Sequence, residues 1–477
     1  MAPSLDLRTV ADDLLVRSPD SLAIVDPGGS WTYDELRARI LATAAGLRAA
    51  GVNASEQVAL VAPPGRLALA TTLAAFRVGA TIAPMNPRFS PGELAELAGL
   101  PGVRPAAVVA DDEHATAAAA VAPIVLREDL MAVTGGDTAP ASDTAADGAL
   151  LFTSGTTGRP KPVPVPRATL TARLAAYVEP RARQTRMLCV PIHHVGGFLG
   201  ALVTLVGGHR MVVQPRFDAG EWLRLVEAHR VQSTFVVPTM LARILDHPGL
   251  PATDLSSLTT VTYGASPMPD DLLARVAEAL PGVGLVNTFG QTETLGGVTL
   301  STPADAVHPV HRKSVGRLVP GVKIRIVEPG TDDAVADGAV GELLVHSPQN
   351  VVDGWLRTGD LVRMDADGYL YPEGRLSDTI NRGGEKFGPV EVEAALRTHP
   401  LVHDCAVAGV PDPEVNERVG AVVVTKGPVT TDELREWCAA RIARYKAPEL
   451  VVFADQVPLT DLGKVDRKAV VAMVREG

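Results

Sequence analysis

The sequence has few cysteines, few aromatic residues and no excess of positive charge. Three cysteines, Cys189, Cys405 and Cys438, are spread over 477 residues. Their number and spacing fit neither a disulfide framework nor a zinc site, and they favour a reducing, cytoplasmic location. The 44 lysines and arginines are outnumbered by 55 aspartates and glutamates, so the formal net charge is −11. The charge balance therefore predicts no nucleic-acid partner and no anionic membrane surface.

The sequence also lacks a convincing membrane span and a signal peptide. One uncharged stretch, 187–208, is interrupted by Pro191, two histidines and five glycines. A buried strand, a loop and a helix explain this stretch better than a spanning helix does. The first residues carry acidic side chains early and no apolar run before a small-residue cleavage site. We therefore expect a soluble, cytoplasmic protein.

Apolar residues make up 46% of the chain, which is enough to build a sizeable core. Up to about residue 290, short apolar runs alternate with helix-length segments. These runs cover 58–62, 149–153, 187–190, 210–214, 233–237, 259–263 and 284–289. Alternation of this kind is typical of parallel sheets with helices on their faces. We predict an α/β fold with a large N-terminal region of doubly wound sheets.

The pattern changes twice in the last third of the chain. Between about 315 and 374, apolar runs without intervening helices predict a small antiparallel β subdomain. From about 380, the signals are a helix at 390–399, strands at 404–410 and 419–425, and a helix at 431–443. The predicted organisation is an N-terminal region of 1–374, a hinge at 375–378 and a smaller α+β domain of 379–477.

A candidate phosphate-binding loop follows the apolar run that begins at residue 149. It reads Thr153-Ser154-Gly155-Thr156-Thr157-Gly158-Arg159-Pro160-Lys161. Glycines let backbone amides approach an anion, hydroxyls donate hydrogen bonds and the lysine adds a positive charge. The spacing of a Walker loop is absent. On composition alone, a flexible glycine- and threonine-rich turn is an equally good interpretation.

The complete string, and further strings in a fixed order, resemble the adenylate-forming superfamily. That superfamily includes acyl- and aryl-CoA synthetases, peptide-synthetase adenylation domains and firefly luciferase. The matching segments after the phosphate loop are 263–267 (YGASP), 287–293 (NTFGQTE), 358–360 (TGD), 374–378 (GRLSD), 381–386 (NRGGEK) and 458–467 (PLTDLGKVDR). The resemblance extends over almost the whole chain. It implies activation of a carboxylic acid by ATP and Mg²⁺, with release of pyrophosphate.

The resemblance implies a role for each matching residue. Lys464 is the expected catalytic lysine between the carboxylate and the α-phosphate, and His194 is expected beside the carboxylate. The triphosphate is assigned to Thr153, Ser154, Gly155, Thr156, Thr157, Gly158, Lys161 and Thr292, and Mg²⁺ to Glu293. Adenosine is assigned to Gly264, Ala265, Asn287, Phe289, Asp360 and Arg375. Ser377 and Asp378 are assigned to the hinge, and Gly383 and Gly384 to a tunnel for the thiol.

The acid pocket is assigned to the segment after the run at 187–190. Its expected residues are His194, Val195, Gly196, Gly197, Phe198, Tyr263 and Gly296. Amino-acid-activating relatives place an aspartate here to pair with the substrate ammonium, and this segment has none. We therefore expect an acyl or aryl acid and not an α-amino acid. A hydrogen-bonded structural histidine is the alternative interpretation of His194.

The acceptor of the acyl group is less well defined than the activation step. His194 and the QTET segment at 291–294 favour CoA, which gives an acyl-CoA thioester. The alternative is a freestanding enzyme that loads a carrier protein or an amine. Two departures from the family pattern are Pro162, where glycine is usual, and Ser377, at the usual position of a charged hinge residue. The oligomeric state and the identity of the acid stay open.

Overall fold

The computed structural model describes residues 5–13, 19–136, 138–142, 144, 146–154, 160–178, 182–460 and 463–477. Its helices are α1 (Val10–Asp13), α2 (Tyr33–Ala49), α3 (Arg66–Arg77), α4 (Pro91–Ala98), α5 (Ala115–Ala118), α6 (Arg167–Ala175), α7 (Val195–Val206), α8 (Ala219–His229), α9 (Pro238–Leu245), α10 (Asp270–Ala279), α11 (Pro303–Val307), α12 (Pro389–Arg397), α13 (Thr431–Ala439) and α14 (Arg467–Glu476).

Its strands are β1 (Leu22–Asp26), β2 (Gly29–Thr32), β3 (Gln57–Val61), β4 (Thr81–Pro84), β5 (Pro105–Ala110), β6 (Val125–Leu126), β7 (Asp147–Ser154), β8 (Pro160–Pro166), β9 (Thr185–Leu188), β10 (Arg210–Val213), β11 (Ser233–Val236), β12 (Thr260–Gly264), β13 (Gly284–Gln291), β14 (Gly296–Leu300), β15 (Arg317–Leu318), β16 (Lys323–Val327), β17 (Gly341–His346), β18 (Leu356–Met364), β19 (Leu370–Arg375), β20 (Ile380–Arg382), β21 (Glu385–Phe387), β22 (Val402–Asp412), β23 (Asn416–Thr425) and β24 (Leu450–Phe453).

Within the described ranges the strands form four sheets. The first has nine strands in the order β15-β14-β13-β12-β11-β9-β10-β1-β2, and the second has six in the order β6-β5-β3-β4-β7-β8. The third has four antiparallel strands, β16 to β19, and the fourth joins β20 to β24. The α/β class predicted from the alternating pattern is confirmed, because the central strands of both large sheets run parallel.

Local sequence signals explain where the early helices begin. Thr32 and Glu35 form a capping box before α2, and Ser90 and Glu93 form another before α4. In each box, side-chain oxygens accept hydrogen bonds from backbone N–H groups that have no partner within the helix. The buried faces of α2 and α3 belong to one continuous core that includes side chains of both large sheets, such as Ile82 and Val261.

The carboxyl ends of the parallel strands determine where a site can form. Strands β9, β12 and β13 run in the same direction, so the loops that follow them leave the nine-stranded sheet at the same end. Strand β7 runs parallel to β4 in the six-stranded sheet and ends at Ser154; the next residues, 155–159, lie outside the described residues. Ligands of open α/β sheets bind at such ends, so the topology brings together motifs that are far apart in the chain.

The four-stranded sheet corresponds to the antiparallel subdomain predicted after residue 315. The sequence prediction did not include β18, which contains the TGD segment at 358–360. Gly359 has a φ of +71° within this strand, and the register between β17 and β18 shifts across the segment, so its backbone is turn-like; only Asp360 of the three residues has a register partner, in β19. Asp360 lies directly opposite Arg375 across the β18–β19 pair.

The predicted C-terminal helices and strands occur in the predicted order, and both helices end earlier than predicted, α12 at Arg397 instead of 399 and α13 at Ala439 instead of 443. Beyond α13, the amides of Arg441 and Ile442 both donate to the carbonyl of Cys438. In the part of the chain that the structure describes, no helix is long and apolar enough to cross a membrane. All three cysteines are buried and have free thiols.

An ion pair stabilises the C-terminal domain near the predicted hinge. The Nη1 of Arg467 donates to the Oε1 of Glu393 at 2.7 Å, and the same oxygen accepts from the Val407 amide at 3.0 Å. Glu393 is only 4% exposed. The Nε of Arg467 also donates to Asp378 at 3.2 Å. Arg467 therefore connects α14, α12 and the segment that joins the two domains.

We expect Arg467→Met to destabilise the C-terminal domain by about 3 kcal/mol, because it leaves a buried carboxylate without its closest cation. Equilibrium urea unfolding measures this change. Arg475→Met is the matched control, since Arg475 is exposed on the same helix. Equal unfolding midpoints for the two variants would contradict the prediction.

Candidate active site

Two adjacent histidines lie between β9 and α7, beyond the carboxyl end of a central strand of the nine-stranded sheet. The rings of His193 and His194 have their centroids 4.3 Å apart, and the Nε2 atoms of both are buried. Among the described residues, neither Nε2 has a hydrogen-bond partner. Burial, followed by the charges of Lys464 and Arg88, lowers the pKa of His194 to about 3. His194 is therefore neutral at pH 7, with a buried nitrogen available to a ligand.

Lys464 belongs to the C-terminal domain and approaches His194 on a hairpin. The hairpin is held by hydrogen bonds from Thr460 N to Lys464 O, at 2.7 Å, and from Asp466 N to Pro458 O, at 2.9 Å. Across the domain junction, the hydroxyl of Thr239 donates to the carbonyl of Gly463 at 3.0 Å. Gly463 has a φ of +72°, and a Cβ there would lie 2.5 Å from Thr239 Oγ1. Only glycine fits this contact. The contact holds Gly463 against Thr239 and so positions Lys464, the next residue.

Lys464 joins three other ionisable groups, Asp360, Arg375 and Glu293, which we call the charge cluster. The Nε of Arg375 donates to Asp360 Oδ1 at 2.6 Å, and Asp360 is only 6% exposed. Burial raises the pKa of Asp360, and Arg375 and Lys464 oppose that change. Burial, followed by Arg375, lowers the pKa of Lys464 to about 8, while Asp360 and Glu293 oppose the change. Each carboxylate thus has a cation close by.

The residues assigned to adenosine lie on neighbouring strands. Tyr263 and Asn287 are register partners in β12 and β13, and the Asn287 side chain is bonded to the Tyr263 hydroxyl. Gly264 ends β12, where a Cβ would lie 2.3 Å from the Thr288 carbonyl oxygen. Ala265 follows it with a φ of +69°, a conformation that costs an alanine roughly 1 kcal/mol. Phe289 packs against the core of the four-stranded sheet.

The residues assigned to phosphate are only partly described. Thr153 lies opposite Lys161 across the β7–β8 pair, and Lys161 is exposed. Ser154 ends β7. The predicted contacts of Gly155, Thr156, Thr157 and Gly158 lie outside the described residues. Thr292 is half-buried and starts a short 3₁₀ turn.

The segment that contains Lys161 and Pro162 is a strand, β8. Pro160, Pro162, Pro164 and Pro166 occupy alternate positions of β8, the outermost strand of its sheet. An edge strand tolerates proline because the missing N–H groups can face away from the partner strand.

Several residues assigned to the acid pocket have a packing role instead. Phe198 and Tyr263 are each 2% exposed and belong to the main core. Gly197 does not provide room for a substrate, because a Cβ there would lie 2.1 Å from the carbonyl oxygen of Pro191. It allows α7 to start close to the preceding loop.

At two other acid-pocket positions a side chain would be only slightly too close to its neighbours. Val195 is half-buried. A Cβ on Gly196 would be 3.3 Å from the ring of Phe235, and one on Gly296 would be 3.3 Å from Leu199 and 3.4 Å from Arg173.

The donor set around Glu293 fits a metal ion that is bound jointly with phosphate. Glu293 is half-buried, and its backbone carbonyl accepts from the Val351 amide at 2.9 Å. Within the described ranges, no group of three or more histidine, cysteine, aspartate or glutamate side chains could hold a metal ion. One carboxylate suits Mg²⁺, which takes few protein ligands and completes its shell with phosphate oxygens and water.

The hinge residues and the two glycines of the predicted tunnel lie beyond the charge cluster. Ser377 donates to Asp378 at 2.9 Å inside a 3₁₀ turn that directly follows Arg375. Gly383 and Gly384, with φ of +61° and +96°, form the turn between β20 and β21. A Cβ on either would have nothing within 4 Å, so both positions face open space here.

Sequence reasoning missed four side chains near the site. Arg88 lowers the pKa of both histidines, after burial. The Nε2 of Gln291 lies 3.5 Å from Asp360 Oδ2. Thr239 and Arg173 are the other two. Gln291 stood inside a quoted motif, whereas no local pattern distinguishes the other three from surface or core residues.

Comparisons with known proteins agree over nearly the whole chain. Residues 12–356 match the model of the AMP-binding enzyme family, and residues 391–464 match that of the AMP-binding enzyme C-terminal domain. A feruloyl-CoA synthase of Amycolatopsis is 34% identical over 94% of this chain and 95% of its own length. An indoleacetate–CoA ligase of Aromatoleum aromaticum is 33% identical over 96% of each chain.

A solved structure extends the agreement to the backbone. The amide bond synthetase McbA of Marinactinospora thermotolerans has a TM-score of 0.87 and 28% identity, covering 98% of this chain and 99% of its own. The resemblance first found in short motifs is thus confirmed over the full length, and this chain belongs to the AMP-binding enzymes, the family of adenylate-forming acid–CoA ligases.

Proposed function

We propose that this enzyme activates an acyl or aryl carboxylic acid with ATP and then transfers the acyl group to CoA. The observation that carries the proposal is the buried, unpartnered Nε2 of His194, within electrostatic reach of Lys464. A neutral imidazole can donate a hydrogen bond to a carboxylate, and the lysine cation can offset charge on the α-phosphate. The two groups therefore suit an approach of one anion to another.

Different residues bind different parts of the nucleotide during adenylation. Asp360 accepts from the ribose hydroxyls while Arg375 holds its carboxylate in place. Thr153, Lys161 and Thr292, with the loop at 155–158, bind the phosphates. Glu293 holds Mg²⁺, which neutralises charge on the phosphates when it is bound. Lys464 stabilises the charge that develops at the α-phosphate as the carboxylate attacks and pyrophosphate leaves.

Two observations bear on the choice of substrates. No carboxylate lies in the 191–198 segment to pair with the ammonium of an α-amino acid. Two relatives are named for aryl acids joined to CoA. The similarity to an amide bond synthetase supports a second candidate, in which an amine takes the acyl group from the adenylate. Both candidates share the same first half-reaction.

A panel of acids tests the proposed function. Aryl acids, medium-chain acids and α-amino acids are supplied with ATP and Mg²⁺, and pyrophosphate release is measured. Each active acid is then tested with CoA, with amines and with carrier proteins, and the product mass is determined. We expect aryl or acyl acids to be active and the CoA thioester to form. Activity confined to α-amino acids, or an amide as the main product, would contradict the proposal.

The two half-reactions should separate in two variants. Lys464→Ala should slow pyrophosphate release by about a hundredfold or more, because the cation at the α-phosphate is lost. It should still convert supplied acyl-adenylate and CoA to thioester. Gly384→Trp should do the reverse, since the indole would narrow the proposed thiol tunnel. Gly384→Ala is the control, because it has the same unfavourable φ without the bulk. Equal loss of both half-reactions in Lys464→Ala would refute the division of roles.

Adenylation should also depend on the charge of Lys464. Its pKa of about 8 means that the free enzyme carries the cation below that pH and loses it above. The kcat/KM for ATP reports groups of the free enzyme, so it should fall as pH rises from about 8 towards 10. An ordinary lysine would place this fall near pH ~10.4. Lys464→Arg should keep its charge and lose the descending limb, whatever its absolute rate. If Lys464→Arg kept the descending limb unchanged, a group other than Lys464 would be responsible for the fall in kcat/KM.

A further inference from the structure

A half-buried arginine faces the end of the acid pocket. Arg173 lies in the last turn of α6. Its Nη2 and Nε lie 3.4 Å and 3.9 Å from the position that a Cβ on Gly296 would take. Leu199 of α7 lies 3.3 Å from the same position. The guanidinium therefore sits between α7, which begins after His194, and β14, which follows the segment containing Glu293.

Arg173 is a half-buried cation whose charge no described carboxylate balances. Among the described residues, no aspartate or glutamate lies within ion-pair distance of it, and its one described contact partner is the ring of Tyr177, 5.8 Å from its Cζ. Four other arginines with little exposed surface pair with acidic side chains, namely Arg66, Arg77, Arg382 and Arg467, whereas Arg210 and Arg325 have no acidic partner among the described residues. A cation that has lost part of its hydration needs an anion or strong acceptors in compensation.

The surroundings of Arg173 make the pocket apolar in the middle and charged at one end. Val195, Phe235 and Leu199 supply apolar surface near the start of α7. Leu199 is five residues after His194, which corresponds to about 7 Å along the helix axis. This offset is about the span of a para-substituted benzene ring or of a six-carbon chain.

We propose that Arg173 determines substrate specificity, and that the preferred acid carries a second anionic group at the end opposite the reacting carboxyl. The proposal rests on the proposed function, since it assumes that the reacting carboxyl lies at His194. A planar guanidinium can bind a distal carboxylate through two parallel hydrogen bonds. A ring or chain of the stated length bridges the apolar part of the pocket between the two ends.

Matched pairs of acids test the role of Arg173. One pair is terephthalate and its monomethyl ester, and the other is adipate and its monomethyl ester. For the wild-type enzyme, we expect the kcat/KM of pyrophosphate release to be at least about tenfold higher for the diacid of a pair. Arg173→Met should bring this ratio close to one without changing the KM for ATP. Arg173→Lys should keep part of the preference.

Arg224→Met is the matched control, because Arg224 is exposed on α8 and pairs with Glu221. It should retain the wild-type ratio. An unchanged ratio in Arg173→Met, or a rise in the KM for ATP by the same factor as the loss of diacid activity, would overturn the proposal. The second outcome would assign Arg173 to the triphosphate.

Calorimetric binding of each acid in the presence of AMP separates this proposal from the proposed function. Arg173-dependent binding of a diacid without any pyrophosphate release would support the pocket assignment and overturn the proposed activation. Pyrophosphate release with neutral monoacids, and no binding advantage for either diacid, would overturn the role of Arg173 and leave the activation intact.

Discussion

The position of the Lys464 cation depends on attraction across the junction between two domains. Asp360 and Glu293 belong to the large N-terminal part, and they face a lysine on a hairpin of the C-terminal part. The two carboxylates stabilise the charged form of Lys464, whereas burial and the guanidinium of Arg375 destabilise it. The balance leaves the pKa of the ammonium near 8, so a small change in geometry or ligand can shift its charge.

The same junction links the proposed nucleotide site to the predicted hinge. Arg375 pairs with Asp360 as the last residue of β19, and the next three residues form the 3₁₀ turn that contains Ser377 and Asp378. Asp378 is in turn bonded to Arg467 at the start of α14. A chain of charged contacts therefore runs from the proposed ribose site through the predicted hinge to the C-terminal core. In the proposed reaction, rotation of the C-terminal domain would carry Lys464 away while Asp360 and Arg375 stay in place.

The two ends of the proposed acid pocket differ in charge. At one end His194 is kept neutral, because neighbouring cations and the lack of solvent both disfavour the imidazolium. At the other end Arg173 has no acidic partner among the described residues. Both features make sense together if the substrate itself supplies negative charge. The pocket would then be completed by its acid, in the way that the phosphate residues are completed by ATP.

The sequence by itself determined the fold class, the order of the motifs and the family, because strand and helix periodicity and glycine-rich strings are local properties of the chain. It also identified Asp360, Arg375, Glu293 and Lys464, since each stands inside a motif. Only the tertiary structure decided which residues meet. Phe198 and Tyr263 belong to the core because α7 and β12 turn them inward, and Gly197 is needed for a close backbone contact. Thr239 and Arg173 reach the site only through packing between elements far apart in sequence, so no local pattern could reveal them.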